Sequence, residues 1–307
     1  MSSSWKHIDW RADVYQNIRL MNPLVTVYVP TFNRVEMLGR ALESVLSQTY
    51  ENLEIIVVDD GSDDDTRGYL TKISRTDSRV KYIRNSSNLG ACGSRNKAIE
   101  IASGEFITGL DDDDYFLPHR INGFLEAWQV KKPGVVALFT SVKKKVGEND
   151  NDIVVDKKIP FVRQDDLLYS NYVGNQLFTR TEILKKIHGF DAAFPAWQDL
   201  DCWYRLLADD PAQRVDNYSY VVDVSHSYDR ISKSIQSKVN TSYIKFRKKH
   251  NLSYRMAVRL MCQKTAYSPS LLTYLNDVLL SLLILDSRLL RLSLVRARRF
   301  LRGRIKT

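Results

Sequence analysis

Apolar segments of strand length alternate with amphipathic segments along the first third of the chain. Leu24 to Val29 is apolar and β-branched and stops at Pro30, and Met37 to Gln48 carries apolar residues at helical spacing. Leu53 to Val58 forms a second buried strand, and turn-rich sequence from Asp59 to Thr66 leads into another helix. The alternation continues with a strand at 80–85, a helix at 91–102 and a strand at 105–110. This order predicts an α/β fold with a mostly parallel sheet and helices on both faces.

Polar residues cluster directly after these strands, at Thr31 to Arg34, Asp59 to Asp60 and Asp111 to Asp114. The carboxyl ends of parallel strands meet at one edge of the sheet, which is where ligands bind in such folds. The sequence has neither the glycine pattern of a dinucleotide fold nor a GxxxxGK phosphate loop. A phosphorylated ligand would be repelled by these carboxylates unless a divalent cation lay between them. Oxygen ligands favour Mg²⁺ or Mn²⁺ in that position.

The positive charge of the chain is concentrated at its C-terminus. The formal net charge is +9, and eight basic residues follow Asp286 with no acid among them. The rest of the chain is therefore close to neutral, which argues against a nucleic-acid-binding protein. The basic residues are Arg288, Arg291, Arg296, Arg298, Arg299, Arg302, Arg304 and Lys306.

Cysteine usage and the N-terminus indicate a protein of a reducing compartment. The three cysteines are widely spaced and form neither a disulfide framework nor a zinc-ligand pair. Charged residues in the first sixteen positions interrupt the apolar stretch that a signal peptide requires. No apolar run approaches the roughly 20 residues of a membrane-spanning helix. We therefore expect a cytoplasmic location.

Four ordered segments resemble one family. "VTVYVPTFNR", "IIVVDDGSDDDT", "NLGACGSRNKAIEIASGEFITGLDDDDYF" and "GFDAAFPAWQDLDCWYRL" are similar, in order and spacing, to the GT-A glycosyltransferases of family 2. The resemblance covers residues 24 to 230 and implies inverting transfer of a sugar from a nucleotide diphosphate donor. It divides the chain into an N-terminal extension (1–23), a GT-A catalytic domain (24–235) and a basic helical C-terminal region (236–307). Within the catalytic domain, 24–118 would bind the nucleotide sugar and 119–235 the acceptor.

The resemblance also assigns the donor site. Pro30, Thr31, Phe32 and Asn33 stand where the family lines the base and ribose pocket, with Phe32 placed to stack on uracil. Asp60 stands where a carboxylate accepts a hydrogen bond from the uracil imide nitrogen. From the residues alone, Asp63 to Asp65 are expected to cap the start of the next helix. Arg95 either faces the diphosphate or covers the surface of its helix.

The aspartate run resembles the family's DxD element. In this comparison Asp111 and Asp112 contact the donor, and Asp113 binds the Mn²⁺ or Mg²⁺ that bridges the diphosphate. The alternative is that the aspartate run is a solvated acidic loop with no role in donor binding. We expect Asp114 to cap the helix that starts near Pro118. A second metal-site candidate is His226, which follows a late strand. The alternative is that this histidine has a structural role.

The segment "AWQDLDCWYRLL" resembles the part of the family that carries the catalytic base. The family usually has Glu-Asp-x-Asp here, and this chain has Gln198 in place of the glutamate. Asp199 keeps the position of the base, which takes the proton of the acceptor hydroxyl. Trp197, Gln198 and Asp201 are candidate acceptor contacts, and Trp203 is expected in the core. The alternative is that Asp199 and Asp201 are first-turn acids favoured by the helix dipole.

Leucines recur at helical spacing in the C-terminal region, at positions that include Leu275, Leu279, Leu282, Leu289 and Leu292. The apolar run 278–285 is too short to span a bilayer and suits an amphipathic helix in a membrane interface. Basic residues beside it would bind anionic lipid. The alternative is a helical hairpin packed on the catalytic domain or on a second subunit.

We therefore expect an enzyme that moves Glc, Gal, GlcNAc or GalNAc from a UDP-sugar to a glycan acceptor, forming a β linkage. Resemblance implies a lipid-diphosphate-linked acceptor in O-antigen or other surface polysaccharide synthesis, at the inner face of a bacterial membrane. A homodimer is left open. The alternatives are a nucleotidyltransferase, or a catalytically inactive sugar- or nucleotide-binding protein on the same fold.

Overall fold

The computed structural model describes residues 22–147, 153–155, 159–225 and 235–304. The strands are β1 (Val25–Thr31), β2 (Leu53–Asp59), β3 (Val80–Arg84), β4 (Phe106–Gly109), β5 (Tyr115–Phe116), β6 (Ala137–Lys145), β7 (Ile153–Val155), β8 (Phe161–Val162), β9 (Phe178–Arg180) and β10 (Ala212–Asp223). The helices are α1 (Val35–Leu46), α2 (Thr66–Thr76), α3 (Gly90–Ile101), α4 (Arg120–Gln129), α5 (Thr181–Lys186), α6 (Gln198–Leu206), α7 (Ile235–Lys249), α8 (Tyr254–Met261), α9 (Leu271–Leu283) and α10 (Ser287–Arg304). Two 3-10 turns lie at Gln164–Leu168 and Lys264–Tyr267.

The strands described form one sheet in the order β3-β2-β1-β4-β9-β6-β10-β5. β3, β2, β1 and β4 are parallel, with Val25 level with Leu53 on one side and with Phe106 on the other. The predicted α/β fold is confirmed, and every strand and helix predicted before residue 111 is present within two residues of its expected bounds.

Side-chain alternation divides the parallel strands between two cores. Val25, Val27 and Val29 pack on one face of the sheet with the buried residues of α1. Tyr28 points to the opposite face, where Ile99 of α3 packs with it. Strands buried on both faces need apolar residues at every position, which explains the continuous apolar runs in the sequence.

β1 continues two residues past Val29, its expected last residue, and so includes Pro30 and Thr31. The register pairs Tyr28 with Gly109, the last residue of β4, and the Leu110 amide donates to the Tyr28 carbonyl. Alternate residues of a parallel strand bond to opposite neighbours, so the nitrogen of Pro30 faces the side where β4 has already ended. The missing N–H is tolerated there, and Thr31 reaches the edge of the sheet.

The second half of the sheet is mixed. β9 runs antiparallel to β4, with Phe178 level with Thr108, and β6 and β10 then pair in parallel. β5, which follows the aspartate run, pairs antiparallel with β10 through Phe116 and Tyr220. This pairing carries the end of β10 to the same edge as the aspartates.

The C-terminal helices pack as a hairpin on the catalytic domain. α9 and α10 contact each other along their length, and Ile284 and Leu289 pack with Tyr169, Val258 and Cys262. Within the ranges described above, no helix is both long enough and apolar enough to cross a membrane. The boundaries at 23 and 235 stay predictions.

Candidate active site

A pocket of about 430 Å³ opens at the carboxyl edge of the parallel strands. This volume suits a small organic ligand. Its lining residues come from the loops after β1, β2, β3 and β4, together with two residues from the second half of the sheet. They are Pro30, Thr31, Phe32, Arg34, Asp60, Asn88, Gly90, Ala91, Ser94, Arg95, Asp111, Asp112, Asp113, Asp114, Asn175 and Val222.

Arginines balance the aspartate run. Arg34 Nη1 lies 3.1 Å from an Asp112 oxygen and 3.3 Å from an Asp113 oxygen, and Arg95 Nη2 lies 2.7 Å from Asp111 Oδ1. Arg40 donates to the Asp113 carbonyl oxygen at 2.7 Å. From the sequence, Arg34 was named only as the end of the polar cluster after β1, and Arg40, within α1, was not singled out. The run therefore has the positive partners that four adjacent acids require.

Glycine is required immediately before the run. A Cβ on Gly109 would lie 2.1 Å from Gln176 Oε1 and 2.4 Å from the Tyr28 ring. Only glycine therefore fits at the end of β4 beside the Gln176 and Tyr28 side chains, and the aspartate run follows it into the pocket.

Asp112 lies at the floor of the pocket, 6% exposed. Burial raises its pKa to about 6, against the lowering effects of the Arg34 charge and of a hydrogen bond from Thr31. That bond, from Thr31 Oγ1 to Asp112 Oδ2, is 2.8 Å long and joins the end of β1 to the run after β4.

Asp114 does not cap a helix, as we had expected. Its carboxylate is 2% exposed and accepts from the Tyr220 hydroxyl at 2.8 Å and from the Asp223 amide at 3.1 Å. α4 begins at Arg120, too far along the chain for this role. Burial raises the pKa of Asp114 well above its ordinary value, and the charges of Asp111 and Asp113 add to the effect. The expectation was wrong because it considered only local sequence, whereas the partner strand lies about 100 residues away.

The loop after β3 is held by Asp60. One carboxylate oxygen accepts from Asn85 Nδ2 at 2.7 Å and the Leu89 amide at 2.8 Å, and the other accepts from the Gly90 amide at 2.7 Å. Asp60 lines the pocket while holding this loop in place. The backbone amides at the start of α3 are thereby placed at the pocket wall.

The loop after β1 presents one aromatic ring. Phe32 is 40% exposed and lines the pocket, which suits a stacking surface. Asn33, by contrast, is outside the lining and joins two loops, since its side-chain oxygen accepts from the Asp63 amide at 2.7 Å. Its φ of 54° lies in the left-handed region, a strained position for a residue other than glycine.

The expected helix cap lies in the neighbouring loop. Asp64 accepts from the amide of Thr66, the first residue of α2, at 3.1 Å. It also accepts from the amide of Val35, the first residue of α1, at 3.0 Å. One carboxylate therefore satisfies the first backbone amide of two helices, although it is not the N-cap residue of either.

Asp199 occupies the first turn of α6 with a half-buried side chain. Its Oδ2 accepts from Asn171 Nδ2 at 2.7 Å. Burial raises its pKa; the Leu200 amide and the Arg95 charge lower it, and the charge of Asp111 raises it. Asp199 thus has a raised pKa and interacts electrostatically with Arg95 and Asp111 of the pocket, which makes it a candidate general base.

The segment 171–176 links Asp199 to the aspartate run. Asn171 bonds Asp199, and Gln176 Nε2 donates to Asp111 Oδ1 at 3.1 Å. Trp203 of α6 is fully buried, as expected, and its indole N–H donates to the Gly174 carbonyl at 2.8 Å. The sequence placed this segment in the acceptor-binding half without naming its residues, and its three amide side chains in six residues are the signal that could have indicated them.

The two candidates before Asp199 differ in exposure. Trp197 is 7% exposed, and its indole N–H donates to the Tyr267 hydroxyl at 3.2 Å. Its φ of 60° makes it a strained residue directly before α6. A buried ring has little exposed surface on which a sugar could stack. We therefore assign to Trp197 a role in positioning α6. Gln198 is half-buried and stays an acceptor candidate.

Asp201 lies in an ion-pair cluster and does not line the pocket. Its side chain is fully buried, within 3.0 Å of nitrogen atoms of Arg205, Lys249 and His250. Burial opposes its ionisation, but the His250 hydrogen bond and the charges of Arg205 and Lys249 outweigh this and lower its pKa. We therefore do not retain Asp201 as an acceptor contact.

Replacing Asp201 by asparagine should destabilise the protein by at least about 2 kcal/mol. This is less than the ~3–5 kcal/mol of a fully buried pair, because Lys249 and Arg205 still reach water. The stabilisation from a lowered pKa is present above the ordinary value of 3.8 and is lost below it, so the difference from wild type should shrink in acid. Urea denaturation at several pH values, with Asp209→Asn as an exposed control, tests this. Unchanged stability with weaker acceptor binding would restore the acceptor role.

The carboxylate oxygens of the aspartate run suit a divalent cation that takes most of its other coordination from a bound phosphorylated molecule. Mg²⁺ and Mn²⁺ take oxygen ligands, and Mg²⁺ typically uses one or two carboxylates with phosphates and water. Among the described residues no group of three ligating side chains surrounds a single point. Asp113, with its carboxylate at the pocket, is the candidate protein ligand. His226 lies outside the described residues.

Comparisons with known proteins agree with this geometry. The model of Glycosyl transferase family 2 matches residues 26–187. The putative colanic acid biosynthesis glycosyl transferase WcaA of Escherichia coli (strain K12) is 35% identical over 235 residues, 75% of this chain and 82% of that protein. WfgD of Escherichia coli, a UDP-Glc:alpha-D-GlcNAc-diphosphoundecaprenol beta-1,3-glucosyltransferase, is 30% identical over 189 residues, 61% and 70% of the two chains. The solved mannosyltransferase PcManGT of Pyrobaculum calidifontis, in complex with GDP-Man and Mn²⁺, superposes with a TM-score of 0.55 at 17% identity, covering 94% and 92%.

Proposed function

The chain belongs to glycosyl transferase family 2 and has the GT-A fold, and on that premise we propose that it transfers a sugar from a UDP-sugar to a hydroxyl of a lipid-linked glycan. The observation that carries the proposal is the pocket in which Phe32, Asp113 and Arg95 converge at the carboxyl edge of the sheet. An aromatic face, carboxylates and a buried cation match the base, the metal and the diphosphate of such a donor.

Phe32 and Asp60 are placed to hold the nucleobase. Phe32 offers a stacking face. The carboxylate of Asp60 accepts three hydrogen bonds from the protein and still has a lone pair that could accept from the uracil imide N–H. The WfgD name specifies a UDP-sugar, whereas PcManGT was solved with GDP-Man, so the fold alone does not select the base. We infer uridine from the UDP-sugar named for WfgD, and Asp60 suits it because its carboxylate can accept from the uracil imide N–H.

Arg95 is placed to meet the diphosphate. It is 13% exposed in its side chain, and among the described residues its buried Nε has no hydrogen-bond acceptor. A buried donor without a partner is costly, and a phosphate oxygen would satisfy it. This favours the diphosphate role over the surface role that the sequence left open.

Asp113 would hold a divalent cation, with Asp111 and Asp112 beside it. When bound, the cation would neutralise the leaving diphosphate as a Lewis acid. In this chain, Arg34 pairs with Asp112 and Asp113 and is the cation that donor binding would displace or turn towards phosphate.

Asp199 would act as the general base. In an inverting transfer the acceptor oxygen attacks the anomeric carbon from the face opposite the leaving group, and its proton must pass to a carboxylate there. The bond from the acceptor oxygen forms as the bond to the diphosphate breaks, and Asp199 takes the proton. With UDP-α-sugars the product would have a β linkage.

Asn171 tunes this base by holding its ionised form. Replacing Asn171 by alanine removes a hydrogen bond to the carboxylate, which should raise the pKa of Asp199 further. Activity is lost as the pH falls through the pKa of a base, so the acid limb of kcat/KM should move to higher pH. The pH profile of Asn171→Ala, compared with that of Asn122→Ala, which removes a half-buried amide bonded to Thr49 outside the pocket, tests this. A uniform fall in rate with an unmoved acid limb would leave Asn171 with a structural role only.

The names of the relatives support the proposed acceptor and location. WfgD is named for a diphosphoundecaprenol-linked acceptor and WcaA for colanic acid biosynthesis. We infer a lipid-diphosphate-linked glycan acceptor of surface polysaccharide synthesis, and hence a peripheral position at the cytoplasmic face of a bacterial membrane. The transferred sugar is one of Glc, Gal, GlcNAc and GalNAc.

The test is a panel of UDP- and GDP-sugars offered with lipid-diphosphate-linked GlcNAc or GalNAc, with and without Mn²⁺. We expect one UDP-sugar to be transferred in the presence of the metal, and NMR of the product to show a β linkage. Binding of UDP without transfer or hydrolysis of any donor would favour an inactive nucleotide-binding protein. Release of inorganic diphosphate when a nucleoside triphosphate and a sugar phosphate are offered instead would favour a nucleotidyltransferase.

A further inference from the structure

Helix α9 buries polar residues and exposes most of its leucines, although Leu280 packs inward. Tyr274, Asp277 and Ser281 are its buried residues. Helices of soluble proteins normally turn the apolar side inward, so this orientation indicates a partner other than water. We call the exposed residues the leucine face: Leu272 (77% exposed), Leu275 (57%), Leu279 (56%), Leu282 (50%) and Leu283 (66%).

Hydrogen bonds hold the helix in this orientation. Asp277 accepts from Thr265 Oγ1 at 2.6 Å on the inner side. At the turn after α9, Asp286 accepts from Arg259 at 2.7 Å and from the Tyr169 hydroxyl at 2.8 Å. A rotation that hid the leucines would break the Asp277 bond and bring that carboxylate to the surface. The exposure of the leucine face is therefore part of the packing.

Helix α10, which packs against α9, adds positive charge to the hairpin. Arg291, Arg298, Arg299 and Arg302 are exposed, and none of the acids in the described ranges pairs with them. The acids of this hairpin, Asp277 and Asp286, are both buried. The surface is thus apolar and cationic, with no exposed carboxylate to offset the arginines.

We propose that the leucine face and the α10 arginines dock the enzyme on an anionic phospholipid bilayer. Leucines enter the acyl region without needing directional partners, and arginines pair with lipid phosphates. A symmetric contact with a second copy fits less well, because it would apply one cationic patch to another. The inference rests on the proposed membrane location and names the surface responsible for it.

The hairpin also connects to the candidate active site. Its inner side is tied to the segment before Asn171, because Arg296 donates to the Tyr169 carbonyl at 3.0 Å and Arg288 pairs with Asp166. Asn171, two residues beyond Tyr169, bonds the proposed base Asp199. The hairpin that would meet the lipid is thus joined by hydrogen bonds to the segment that holds the proposed base.

Vesicle sedimentation of the full chain, without donor or acceptor, tests the proposal. The wild type should bind phosphatidylglycerol vesicles, and the variant Leu275→Gln, Leu279→Gln, Leu282→Gln should bind at least about tenfold more weakly. Ile244→Gln, at a 65%-exposed apolar position on α7, is the matched control and should bind like wild type. Arg298→Gln with Arg302→Gln should weaken binding to anionic vesicles and reduce its salt dependence.

Two results would overturn the proposal. One is equal binding of the wild type and the leucine variant to anionic vesicles. The other is a wild-type dimer that the leucine variant converts to monomer, with no vesicle binding by either, as judged by sedimentation velocity. Transfer to a water-soluble, short-chain diphosphate-linked acceptor separates the two proposals, since it should be unchanged in the leucine variant. Vesicle binding without any transfer would count against the proposed reaction alone.

Discussion

Asp199→Asn is expected to slow sugar transfer by about 10²-fold or more while leaving UDP binding unchanged. The loss reflects removal of a general base, whose contribution is typically 10²–10⁴-fold. The amide keeps the size of the carboxylate, and its one oxygen can still accept from Asn171 or from the Leu200 amide, so α6 should keep its position. Single-turnover rates with a radiolabelled donor, together with calorimetric titration of UDP, measure the two effects separately.

The matched control for Asp199→Asn is Asp165→Asn. Asp165 is an exposed acid of the first 3-10 turn, and its replacement tests the general effect of losing one negative charge. It should retain the wild-type rate. If Asp199→Asn kept most of its activity as well, the proton would go to a different group, and the proposed mechanism would be wrong.

Asp113→Ala should lower transfer by at least about 10²-fold and remove the metal dependence of UDP binding. The reason is loss of the candidate protein ligand at the point where charge develops on the leaving diphosphate. Stability should change little, because the ion pair with Arg34 is partly exposed and such pairs contribute about 0–1 kcal/mol. UDP titration with and without Mn²⁺ is the direct measurement.

Asp63→Ala is the control for Asp113→Ala, since Asp63 is exposed on the neighbouring loop and does not line the pocket. It should bind UDP with the metal response of the wild type. If Asp113→Ala also kept that response, Asp113 would not be the metal ligand, and the role of the aspartate run would have to be reassigned.

Local sequence determined the donor half of the protein. The apolar runs of β1, β2 and β4 and the helical spacing in α1 depend on residues a few positions apart, and that periodicity follows from backbone geometry. The position of Phe32, Asp60 and Asp113 at one edge follows from the same pattern, because each stands directly after a parallel strand. The family resemblance assigned their roles, and the structure brings them to one pocket.

Tertiary packing decided the partners of the charged residues and the orientation of the C-terminal hairpin. In the sequence, Asp114 and Asp201 both look like acids near the start of a helix. In the structure, Asp114 accepts a hydrogen bond from β10, whereas Asp201 is enclosed by cations from α6 and α7. Leu275 and Leu289 share one helical pattern, and the first is exposed while the second is buried. Periodicity states which residues share a side of a helix, but which side meets the protein depends on contacts between segments far apart in the chain. Those contacts exist only after the chain has folded.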